Sequence, residues 1–236
     1  MKNSTSKVLG LALTGAAIIT GSANAATFVN AASVTGVMTS GGVSSYYGNP
    51  YGANHLLSGI GLSDASAVAD GATYTVGATL PTFSSIPQSA YATGGEGRWV
   101  THLTDTATFT LGGTKTLTGL AIWNVNTALA SAWDAKSITL TFWNGGSQVG
   151  SSLPLVLATG INNDTQAAAG QYFSFGSTQI AADSVQITLN SNYSDGSDPI
   201  SGLGQVRFIA VPEPSASALL LGSLSVLTLT RRRKTA

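Results

Sequence analysis

Ser137-Ile138-Thr139-Leu140-Thr141-Phe142-Trp143-Asn144-Gly145-Gly146 is the stretch on which the fold turns. Ile138, Leu140 and Phe142 alternate with short polar residues, the period of a strand with one buried face, and Asn-Gly-Gly then offers the positive φ angles that a tight hairpin demands. Working outward, the same pattern predicts strands over Ala107–Leu111, ending at Gly112-Gly113, and over Thr118–Val125. It continues at Leu153–Ala158, Gln171–Phe175, Ser184–Leu189 and Gln205–Val211. Many short strands separated by turn signals about every ten residues predict an all-β chain, an antiparallel β-sandwich. No internal repeat at a fixed period points to a solenoid. The only helical stripes lie at the two ends, so a helix is expected on either side of the sandwich.

Composition narrows the class. The chain has 236 residues, ten Lys/Arg, ten Asp/Glu, 28 glycines and no cysteine. That excludes a basic nucleic-acid binder, a disulfide scaffold, a Cys-ligated zinc protein and a thiol enzyme. With 43% hydrophobic residues spread along its length, the chain can build a packed core.

The N-terminus reads as an address. Lys2 and Lys7 precede the apolar run Val8–Ile19 and the small residues Gly21–Ala25. This is the order of a secretory signal peptide with Ala23 and Ala25 at its cleavage site, over residues 1–25, a client of the Sec machinery and signal peptidase. An uncleaved anchor is the alternative, but the run is short for a span of about 17–25 residues. The protein is therefore expected to be exported. Without cysteines its domain must hold together by packing alone.

The C-terminus, 211–236, has three parts. Val211-Pro212-Glu213-Pro214-Ser215 is extended by its prolines. Residues 216–230 are apolar, and as a helix reach about 22 Å at ~1.5 Å per residue, short of a bilayer core of about 30 Å. Arg231, Arg232, Arg233 and Lys234 open the basic tail 231–236 and would stop translocation on the cytoplasmic side. This order resembles the PEP-CTERM sorting signal of Gram-negative bacteria. The resemblance implies that Pro212, Glu213 and Pro214 are recognised by exosortase, that 216–230 is a transient transmembrane helix in the inner membrane, and that the protein ends at the cell surface, in exopolysaccharide or secreted. An ordinary tail anchor is the other reading.

Between the two signals the charge changes sign. Arg98, Lys115, Lys136 and Arg207 face nine carboxylates, a net charge near −5 that disfavours nucleic acid. Residues 26–63 have no clear pattern and are left unplaced. Over 64–210, Ala67–Thr73, Arg98-Trp99-Val100, Ala107–Gly112, Leu117–Trp123, Val185–Leu189 and Gly202–Phe208 look like the discoidin, or coagulation-factor type C, domain, a galactose-binding-like jelly roll. The resemblance implies that the Asp-Gly turn helps to hold a structural Ca²⁺, through Asp70 and Thr73 with Gln205 on the last strand. An amide there brings no charge, which lowers affinity for a hard cation. Asp70 equally suits a turn that it completes by accepting backbone hydrogen bonds.

Sandwiches that bind carbohydrate usually present an aromatic to the sugar ring and polar groups to its hydroxyls. The candidates are Trp133, Tyr91, Tyr193, Arg98 and His102, with Tyr46, Tyr47 and Tyr51 in the unplaced stretch. Trp133 leads the tryptophans because Ala130–Lys136 reads as a loop, while Trp99 and Trp123 suit the core. No G-x-S-x-G elbow, H-E-x-x-H helix or P-loop is present, so a non-enzyme is expected. Two functions stay open: a surface carbohydrate-binding module, which exposed aromatics at one end of the sandwich would favour, or a structural or adhesive matrix protein without a specific ligand. An ice-binding surface would need a regular threonine array, which the linear sequence does not display.

Overall fold

The computed structural model describes residues 26–37, 52–84, 98–125, 131–160, 167–194 and 199–212. The expected signal peptide with Ala23 and Ala25, Tyr91, Glu213, Pro214, the apolar segment 216–230 and Arg231–Lys234 lie outside them, as do both expected terminal helices. Among the described residues only short 3-10 turns occur, and no helix is long and apolar enough to cross a membrane.

Among the described residues twelve strands occur, ten of them in an antiparallel sandwich: β1 (Ala26–Val29), β2 (Ser33–Val37), β3 (Thr73–Tyr74), β4 (Thr82–Phe83), β5 (Trp99–His102), β6 (Thr106–Asn124), β7 (Ala135–Asn144), β8 (Ser147–Val156), β9 (Ala168–Ala169), β10 (Gln171–Ser174), β11 (Ile180–Asn192) and β12 (Ile200–Ala210). The first layer runs β2-β6-β11-β7-β8, using the first half of β6. The second runs β10-β6-β12-β1-β3, using its last half, with β5 against the start of β12. A small β4–β9 ladder stands apart.

The hairpin at Asn144–Ser147 forms as its sequence predicts, with Gly145 at φ 58° and Gly146 at φ 79°. One expectation is corrected. Ala107–Leu111 and Thr118–Val125 are not separate strands but the two halves of β6. Thr110 pairs with Ser184 and Lys115 with Ala182, so residues 111–114 bulge at a corner where the strand passes from one layer to the other. Gly112 (φ 72°) and Gly113 (φ 133°) make that corner. The turn signal was real, but the ladder carries on through it. Residues 26–37, which the sequence leaves unplaced, supply β1 and β2 to the two layers.

Between the layers lies the core predicted by alternation: Phe109, Ile138, Leu140, Phe142, Val185, Ile187, Val206 and Phe208 are fully buried. A second cluster covers the outer face of the second layer, where Phe28, Val68, Tyr74, Phe83, Trp123 and Ile209 pack together, and Trp123 Nε1 donates to Pro81 O at 2.7 Å. The second layer is thus buried on both faces, and β12 is buried from Ser201 to Ala210. The first layer keeps its outer face open.

Between β1 and β5 the edge of β12 is bridged by the 3-10 turn Ala53–Leu57. Arg207 Nη1 donates to Leu56 O (2.9 Å) and Nη2 to Leu57 O (3.1 Å). Burial lowers the guanidinium pKa to about 10, so it stays charged at neutral pH against carbonyl oxygens.

Candidate functional site

The ends of five strands gather at one end of the sandwich. Leu203 pairs with Asn124 and with Trp99, Ala135 pairs with Asn192, and His102 pairs with Ile200. Three buried polar side chains tie the connecting loops together. Asn124 donates through Nδ2 to Ala135 O and Ala158 O, both at 2.9 Å, while its Oδ1 accepts from Ala135 N at 2.9 Å. Asn192 donates to Ile200 O at 2.5 Å and accepts from Ser194 N at 3.1 Å and Ser194 Oγ at 2.7 Å. Asp134, only 2% exposed, accepts from Thr159 Oγ1 at 3.0 Å and from Gly160 N through Oδ2. Burial pushes the Asp134 pKa up to about 6, with the two hydrogen bonds opposing that rise.

On this frame sit three of the predicted ligand residues. Trp133, in the 3-10 turn Ser131–Trp133, is half-exposed and packs on Val100, Val125 and Ile200. Tyr193, also half-exposed, donates its hydroxyl to Leu157 O at 2.5 Å and lies under Lys136 Nζ, 5.7 Å from the ring centre. His102 closes β5 at the head of a tight turn in which Asp105 Oδ2 accepts from Thr101 Oγ1 and from His102 N at 3.3 Å. Its Nδ1 is buried and, among the described residues, has no hydrogen-bond partner. Thr104 in that turn holds φ at 74°, a strained angle for a β-branched residue. Arg98 is 3% exposed, a buried neighbour rather than an open contact. Beside Asn124 and Gly160 a pocket of about 180 Å³ is lined also by Ala168, Ala169 and Gln171.

Sequence reasoning missed Asn124, Asp134 and Thr159. Their partners are 11 to 34 positions away, and no local motif signals them. The usable hint was a lone Asp directly after an exposed-looking Trp.

The three residues suggested for a cation are occupied separately. Gln205 is fully buried in the second layer, where Oε1 accepts from Gly59 N at 2.9 Å and Nε2 donates to His55 O at 2.9 Å. Its amide fastens the 52–62 loop, with both ends hydrogen-bonded there. Asp70 is exposed and accepts from Asn30 N at 3.0 Å, and Thr73 lies exposed on β3. Among the described residues no group of three or more His, Asp or Glu stands together. Asp70 instead borders a cleft of about 620 Å³ at the opposite end of the sandwich, lined also by Asn30, Lys115 and Pro212.

No family model and no curated protein matches the sequence. Several solved structures align with the chain. The family 32 carbohydrate-binding module of C. perfringens NanJ, in complex with galactose, is 12% identical over 78% of this chain and 98% of that one, with a TM-score of 0.41. A Streptococcus pneumoniae fucose binding module is 10% identical over 78% of this chain and 94% of that one, with a TM-score of 0.46. A truncated AlyQ with CBM32 and alginate lyase domains is 13% identical over 80% of this chain, with a TM-score of 0.43, and the chain spans 34% of that protein.

Proposed function

We propose that this chain is an exported surface protein, sorted through its PEP-CTERM tail and processed by exosortase, whose sandwich binds carbohydrate at the loop end. The observation that carries the binding reading is the convergence of Trp133, Tyr193 and His102 on one end of the sandwich, on loops fixed by Asn124 and Asp134. Half-exposed rings on a rigid frame suit a sugar: the C–H face of a pyranose packs on an aromatic, and preorganised loops lose little entropy on binding.

A glycan array with the purified protein, run with Ca²⁺ and with EDTA, tests this. Selective binding that falls about tenfold or more in Trp133→Ala, with the melting temperature changed little, supports the module. A folded wild type that binds no glycan returns the chain to the reading of a matrix protein without a specific ligand.

A further inference from the structure

The open outer face of the first layer carries a two-dimensional lattice of hydroxyls that only the strand register reveals. Thr35 lies opposite Thr108, Thr108 opposite Gln186, and Gln186 opposite Thr141, one row crossing β2, β6, β11 and β7. In the next row Thr106 lies opposite Thr188 and Thr188 opposite Thr139. On the other side, Thr110 and Ser184 lead to Trp143. Their in-between neighbours, Ala107, Phe109, Ile138, Leu140, Phe142, Val185 and Ile187, are buried, so the hydroxyls all face the same way.

Two features of this face identify what it suits. Its central rows carry no charge: the outward residues of 106–110, 184–190 and 137–143 are Thr, Ser, Gln, Asn or Trp, and the charged side chains of these three strands, Lys115, Lys136 and Asp183, lie beyond those stretches. In a domain with net charge near −5 that is a local exception, and it matches a neutral partner rather than an ionic one. It also repeats: along each row the step is the strand spacing of about 4.8 Å, close to the length of one pyranose unit in an extended glycan. The central residues are half-buried, and Thr35, Thr110 and Asn190 are exposed.

We infer that this face is a second binding surface, for a neutral polysaccharide chain lying across the strands, one sugar over each strand, with Trp143 as the stacking platform at its margin. A row of side-chain hydroxyls and amides offers each sugar both donors and acceptors, and the aromatic supplies the apolar contact. Ice is the competing partner for a threonine lattice. Adjacent strands rotate by roughly 20–25°, so the rows fan out across the layer. A flexible polymer can follow that fan and a rigid crystal plane cannot.

The surface is separate from the loop end, so the two stand or fall apart. Affinity electrophoresis of the purified protein in gels containing hydroxyethylcellulose, with alginate as the anionic counterpart, tests it. Retardation by the neutral polymer and not by alginate is expected, with a tenfold or greater loss in Thr108→Lys/Thr141→Lys and in Trp143→Ala, while soluble-glycan array signals stay as in wild type. Circular dichroism checks that both variants fold. Retardation unchanged in both variants, or absent in wild type, overturns the inference. Thermal hysteresis that is present in wild type and lost in Thr108→Lys/Thr141→Lys overturns it in favour of ice.

Discussion

Asp134→Asn gives the loop-end frame a quantitative test. In the folded protein the carboxyl is 2% exposed and its pKa stands at about 6, raised from 3.8 by burial. The folded state therefore holds this proton more tightly than the unfolded chain does. Below pH 4 both states are protonated and the group contributes no penalty. As pH rises from about 4 to 6 the unfolded chain releases the proton first, so stability falls, and above pH 6 the penalty is complete. Two units at about 1.4 kcal/mol each set a ceiling near 3 kcal/mol. Asparagine keeps an acceptor for Thr159 and Gly160 and has no proton to lose. Urea unfolding at pH 4, 5, 6 and 7 should therefore show the wild type losing up to about 3 kcal/mol relative to the variant as pH rises. Any fixed cost of the new amide shifts the whole difference without changing its slope. Parallel stability curves across this range would refute the assignment of a buried, weakly acidic carboxyl to Asp134.

Three further outcomes follow from the same geometry. Gly160→Ala sets a Cβ 2.9 Å from Asp134 Oδ2, so thermal unfolding should show a loss of about 1–3 kcal/mol, and a neutral result would mean that the 158–160 loop yields freely. Gln205→Ala removes the acceptor of Gly59 N–H, while His55 O keeps Ser58 N–H as a donor. A cost of about 1–3 kcal/mol is expected, that of one unsatisfied group, with proteolysis of the 52–62 loop as the local readout. Asp70→Ala should lower stability by no more than about 1 kcal/mol, the value of the Asn30 N–H bond. The melting temperature should be the same in Ca²⁺ and in EDTA, and a calcium-dependent rise that Asp70→Ala abolishes would restore the cation reading.

The legible part of the fold is the part in which one face of a strand meets water. β7 and β11 alternate cleanly, Ile138-Leu140-Phe142 and Val185-Ile187-Leu189, because their outer faces are open. β12 does not, because the segment 62–84 covers its second face and both sets of side chains are buried. Gln205 entered as a cation candidate only through the family resemblance, and nothing local to it signals that its amide bonds the backbone of a loop about 150 positions earlier. The corner in β6 shows the same limit, since Gly112-Gly113 signals a turn but not whether the chain keeps its partner afterwards. Of the site, the aromatics were legible as residue types. The frame was not, because Asn124 and Asp134 act through bonds to distant loops. The hydroxyl lattice was invisible for a related reason: each strand shows only alternate threonines, and their alignment depends on register.

The course of β12 connects the proposed sorting segment with the proposed binding end. Its eleven residues run from Ile200, beside His102 and Trp133, to Ala210 at the far end of the sandwich, where Val211 N donates to Thr116 O at 2.9 Å and Pro212 borders the cleft with Asp70. At about 3.3 Å per residue the strand covers some 33 Å. Tethered through the segment that begins at Pro212, the domain would carry Trp133, Tyr193 and His102 on the side remote from its attachment. The open face of the first layer would then stand along the tether axis, its rows of threonines crossing that axis. The proposed loop-end site and the inferred lateral surface are thus compatible in one molecule, because the covered second layer leaves both clear.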